Sequence, residues 1–259
     1  MIALLTFGGV AGAQFKEAQT SFSRCVEFYL RQDNPQIAEQ FCNTAVQFNP
    51  ESAEYQRLYA RVLLSNAKPD AAEGALANAR SRDASPENDV IASEIALFRN
   101  DLPAALDASN AALSTPNLAR LETIRALRVS GTVLAKQSVD DEAIRVFERA
   151  LTLDARDIKS RRAAADLYLK RDPKKAVQTL EGAPLKTAPV LADLGRAQWV
   201  AGDLTAAIAT LEGITGKAQS FSSERETYQR ALGALTYAYY GQGRFNEGGR
   251  VLTLMDNQG

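Results

Sequence analysis

The chain holds two cysteines, Cys25 and Cys42, and no histidine among its 259 residues. Two thiols at this spacing can close a disulfide or pack as two core thiols; a catalytic C-x-x-C arrangement is absent. Without imidazole there is no Ser-His-Asp or Cys-His catalysis, no His-containing zinc site and no histidine pH switch. Carboxylates are plentiful, and Asp140, Asp141 and Glu142 adjoin. They stand at a predicted helix start, where acidic side chains offset the helix dipole, so capping is the better reading than acid–base chemistry. There is no Walker-type loop and no G-x-G-x-x-G after a strand. Gly8-Gly9 lies in an apolar N-terminal stretch and Gly241-Gln242-Gly243 in an inter-helix turn. A hydrolase built on paired carboxylates or Ser-Lys would not need histidine, but no such constellation emerges. The expectation is a protein without catalytic residues, metal ligands or cofactor.

Lys and Arg number 30 against 31 Asp and Glu, a formal net charge of −1, with 46% hydrophobic residues. That is enough apolar sequence for a sizeable core. With no basic run, neither a nucleic-acid partner nor an anionic membrane surface is expected. Residues 1–13, MIALLTFGGVAGA, carry no charge and end in Ala11-Gly12-Ala13, a small-x-small cleavage signature after which Gln14 would begin the mature chain. The stretch is too short to span a bilayer, and no later one is long enough. Export to the periplasm or cell envelope is the expectation. The alternative is an apolar N-terminus of a cytoplasmic protein, favoured by the lack of Lys or Arg before the apolar run.

One pattern returns along the chain: a small residue, an apolar one four later and a small or apolar one three after that. Its copies open at Ala38, Ala72, Ala105, Ala143, Ala176, Ala207 and Gly248. Spacings of four and three keep the three residues on one helical face. The opening residues lie 34, 33, 38, 33, 31 and 41 positions apart, the period of a two-helix unit. Twelve residues before each stand Val26, Ala60, Ser93, Gly131, Ala164, Gly195 and Thr236, mostly small, on a partner helix. Turn signals such as Asn100-Asp101-Leu102-Pro103 and Gly202-Asp203 separate the two helices. All nine prolines fall in turns or first helical turns, where a missing N–H costs nothing. Longer gaps predict an extended helix after Thr115-Pro116-Asn117, a long polar helix from near Ser223, and a shortened helix before Glu181–Pro189.

The chain resembles the tetratricopeptide repeat family. The match rests on Leu191, Leu194, Gly195, Gly202, Asp203, Leu204, Ala207, Ile208 and Leu211, and on Leu127, Gly131, Leu134, Ala143, Phe147, Ala150 and Leu151. The resemblance covers residues 14–259 as six or seven units. It implies an all-α fold, an α-solenoid of antiparallel helix pairs forming a right-handed superhelix whose groove is lined by the first helix of each unit. The family's groove phases fall on Arg57, Arg61, Arg125, Arg128, Arg161 and Arg196. Eight residues before the opening positions runs a stripe that turns aromatic, Tyr168, Trp199 and Tyr240, with Tyr237 beside it. Arginine and rigid aromatics dominate binding hot spots. The competing reading makes the arginines solvated helix faces and the aromatics fillers between units. The family's Lys/Asn carboxylate clamp is not reproduced, since Ser23 and Glu27 stand at its first phases.

Cys25 lies thirteen before Ala38 and Cys42 four after it, so a turn near Pro35 makes the two face each other across the first helix pair. Export would make them a disulfide; a reducing compartment would keep two core thiols. The last helix, with Phe245, Gly248, Leu252 and Met255, is expected to leave an apolar end that seeks a partner or a second copy. Together these features predict a non-enzymatic scaffold that binds a segment of a protein partner in the groove. A structural subunit of an envelope assembly, docking through its stack ends, is the alternative.

Overall fold

The structure, a computed structural model, describes residues 6–217 and 224–256, with side chains from Gly12 onward. Residues 1–5 of the expected leader and Ser223, the expected start of a long helix, lie outside them. Fourteen α-helices occur among the described residues: α1 (Thr6–Val26), α2 (Pro35–Phe48), α3 (Ala53–Ser65), α4 (Pro69–Arg82), α5 (Glu87–Phe98), α6 (Leu102–Ser114) and α7 (Arg120–Lys136), then α8 (Asp140–Leu153), α9 (Ile158–Leu169), α10 (Pro173–Glu181), α11 (Ala188–Val200), α12 (Leu204–Glu212), α13 (Arg225–Gly241) and α14 (Phe245–Asp256). α1 runs on through a π-helical turn, Glu27–Arg31. No strand occurs among the described residues, and no helix there is long and apolar enough to cross a membrane.

The chain divides between Val133 and Leu134 into two compact units. In unit 1, α1 packs on α2, α3 on α4 and α5 on α6; in unit 2, α9 packs on α10, α11 on α12 and α13 on α14. The repeat pattern explains these pairs. All seven opening residues are buried, the six alanines completely, and so are Ala60, Ser93 and Ala164 on the first helices. At two of these small positions, Gly195 on a first helix and Gly248 on a second, glycine faces a large neighbour. A Cβ on Gly195 would overlap the Leu211 side chain, and one on Gly248 the ring of Tyr240. Leu76, Ile91 and Ile95 anchor one core cluster in unit 1, and Phe147, Leu180 and Val190 another in unit 2.

Turns and caps repeat as well. Five residues before the opening position the backbone is left-handed at Asp33, Ala67, Asn100, Ser138, Gly202 and Gly243. The next N–H then reaches back across the helix end, as in Lys68 to the Leu63 carbonyl and Asp203 to that of Gln198, both at 2.9 Å. The second helix is capped by Asn34, Asp101, Asp172 or Asp203, each side chain accepting from the N–H three residues on. α7 is extended and α10 short, as expected. Lys186 closes α10, its Nζ donating to the carbonyls of Leu180 and Glu181 at 2.9 and 2.6 Å. α13 differs from its expected polar character: from Thr227 to Tyr239 it buries nine residues, among them Tyr228, Leu232 and Leu235. Its charged side chains, Arg225, Glu226 and Arg230, are exposed and confined to the first two turns.

Candidate functional site

Cys25 and Cys42 form a disulfide joining α1 to α2, with Cα atoms 5.2 Å apart and both residues fully buried. It fixes α1 just before the π-helical turn. Phe22, Val26 and Leu30, spaced four apart, then line a cleft of about 200 Å³ with Leu58 of α3 and Leu121 of α7. Leu30 and Leu121 are 57% and 54% exposed. This cleft lies wholly in unit 1 and is faced by first helices.

Three of the expected arginines meet at it. Arg57 donates from Nη1 to both oxygens of Asp83, at 2.7 and 2.9 Å, and its Nε lies 3.1 Å from Glu87 Oε2. Arg61 is buried. Its Nε donates to Glu94 at 3.1 Å and its two Nη groups hold both oxygens of Glu122, so one guanidinium binds α3 to α5 and α7. The two carboxylates outweigh desolvation and raise its pKa. Arg125 lies 3.5 Å from the same Glu122. Arg128 is partly buried on the same helix. Asp140 and Asp141, at the start of α8, are ion-paired with Lys170 and Arg171, and no cluster of three or more metal-ligating side chains occurs among the described residues.

In unit 2, Arg161 spends its guanidinium on backbone, donating to the carbonyls of Thr179 and Ala155 at 2.9 Å each. Desolvation without a carboxylate partner lowers its pKa. Arg196 pairs with Asp166. Tyr168 is buried in the core, its hydroxyl donating to Glu148 and Lys175 Nζ sitting 4.4 Å above its ring. Trp199 and Tyr237 stack at 5.6 Å with planes 19° apart, and Tyr237 remains 61% exposed. Tyr240 covers Gly248 and meets Phe245 at 5.7 Å. Of the expected residues, Arg57, Arg61, Arg125 and Arg196 are ion-paired, Arg161 is bound to backbone, Tyr168 is in the core, and Trp199 and Tyr240 are half-buried beside the exposed Tyr237.

The sequence reading did not single out Arg162, which repeats the Arg61 arrangement in unit 2. Its Nε donates to Asp193 at 2.5 Å and its Nη1 lies 2.6 Å from Glu224, binding α9 to α11 and α13. The available signal was charge recurrence: Asp193 follows Arg162 by one repeat, as Glu94 follows Arg61. The apolar run Phe22, Val26, Leu30 was equally visible as a second face of α1.

No protein-family model matches the chain, and no curated protein sequence does. Solved structures do. PilF of Pseudomonas aeruginosa matches with TM-score 0.61 and 17% identity over 84% of this chain and 97% of that one. PilW, described as a widely conserved type IV pilus biogenesis factor, matches with TM-score 0.63 and 16% identity over 83% and 98%. A tetratricopeptide repeat protein from Parabacteroides merdae matches with TM-score 0.57 and 13% identity over 94% of each chain. Identities this low carry fold and nothing finer. With its repeated helix pairs, buried small faces and left-handed turns, the chain has the tetratricopeptide-type fold, an α-solenoid of antiparallel helix pairs.

Proposed function

We propose that this protein is a non-enzymatic interaction scaffold of the periplasm or cell envelope, holding a segment of a partner protein along its first helices. One observation carries the reading: the first helices of unit 1 and the π-helical turn keep large apolar side chains open in one cleft, Leu30 and Leu121 above all. Tyr237, exposed and stacked on the half-buried Trp199, supports it in unit 2. Export is supported by the disulfide and by the small-x-small signature after which Gln14 begins. Gly12 to Glu17 are exposed and Ala18 is buried, so cleavage after Ala13 removes no side chain described as buried. The native protein should begin at Gln14 and show no free thiol after denaturation without reductant; an intact Met1 with two free thiols contradicts export.

A second reading, an assembly subunit or self-associating chain docked through α14, is favoured by the exposure of Phe245 and Leu252, at 67% and 42%. Affinity capture from the native source separates the two. The groove reading expects the partner to be lost with Leu30→Asp and Tyr237→Ala and kept with Leu252→Asp. The reverse pattern overturns it in favour of end docking.

A further inference from the structure

The arginines of unit 1 suggest a groove for acidic segments, yet their charge is already spent. Arg57 is held by Asp83 and Glu87, Arg61 by Glu94 and Glu122, and Arg125 by Glu122 again. The lining also includes Glu54, which is exposed and forms no ion pair among the described residues. The lining carries three carboxylates, Glu54, Glu87 and Glu122, and three guanidiniums, and all of these except Glu54 are ion-paired. An ion pair presents little net field outward, so the charge left facing the opening is the carboxylate of Glu54.

The apolar part sets the shape. Phe22 and Val26 on α1 and Leu30 in the π-helical turn form a ridge, with Leu58 and Leu121 as the other apolar walls. A protein cavity of about 150 Å³ accepts a benzene ring; this cleft, at about 200 Å³ and open to solvent, takes one large aliphatic or aromatic side chain.

We propose that the unit 1 cleft receives a partner segment that inserts an apolar anchor between Leu30 and Leu121 and places a lysine or arginine against Glu54. The inference rests on the groove reading and gives its partner a charge sign. A short segment of this kind binds with a salt dependence opposite in origin to that of an acidic ligand: the protein supplies the anion, and the ion-paired arginines act as scaffolding for its carboxylates.

The test is selection of a displayed library of random short peptides against the full chain, followed by affinities for the enriched peptides on three proteins: wild type, Leu121→Asp and Glu54→Lys. Both positions are exposed, so the variants should keep the wild-type circular dichroism. Enriched peptides should pair an apolar anchor with a basic residue. They should lose at least tenfold in affinity with Leu121→Asp, and about tenfold with Glu54→Lys together with most of their salt dependence. Acidic peptides that still depend on Leu121 would overturn this inference and leave the groove reading standing. Peptides indifferent to both substitutions, or no enrichment at all, would overturn both.

Discussion

Arg61 shows what a single side chain does in this fold. It is buried, and its guanidinium satisfies two carboxylates from two further helices, so it acts as a bolt through three successive repeats. Removing it leaves Glu94 and Glu122 with far less compensation. Arg61→Met should cost about 3 kcal/mol or more of unfolding free energy, whereas Arg145→Ala, which breaks an exposed pair with Glu142, should stay within about 0.5 kcal/mol. Urea denaturation of both variants checks the contrast. Phase along a helix is enough to put Arg57 and Arg61 on one face of α3. It does not reveal their partners, because Glu122 is set by how far the extended α7 begins before its small residue. Tyr239 makes a second residue-level case. Burial, then its hydrogen bond to Glu212, push its pKa from 10.0 up to about 12. The folded state holds the phenolic proton more tightly, so the contribution is whole below pH 10 and is lost as pH rises toward 12. The urea midpoint of wild type should fall across that window by more than that of Tyr239→Phe; parallel falls would contradict the assignment.

At the scale of elements, the six packed helix pairs were legible because each depends on local spacing. A small face at four and three, an Asx cap and a proline in the first turn all lie within a few residues of one another. The turn conformations follow the same register, and they expose one mismatch. Ala67 adopts φ of 56°, a region that glycine occupies freely and alanine does not. Ala67→Gly should therefore raise stability by about 1 kcal/mol, while Gly202→Ala, at φ of 86°, should lower it by a similar amount. Thermal melts of the two variants should move in opposite directions. The π-helical turn after Cys25 was not legible, since it inserts one residue without altering the apolar pattern. The character of α13 was hidden for a related reason: small residues such as Ala231, Ala234 and Ala238 count little in hydropathy yet are buried by close helix approach.

For the molecule as a whole, the ion pairs best shielded from solvent join first helices: Arg61 in unit 1 and Arg162 in unit 2 each hold carboxylates from two neighbouring helices or helix starts. On the same face Leu30 and Leu121 stay more than half exposed. Surface of that kind is expensive to keep exposed unless something covers it. The most direct measurement is site-specific photo-crosslinking in the native source, with a photoreactive side chain placed at Leu121, at Leu185 on the loop after α10, or at Leu252 on α14. All three are exposed in the structure. The account predicts a discrete partner adduct from Leu121 and none from Leu185; adducts from Leu252 or Leu185 with none from Leu121 would contradict it.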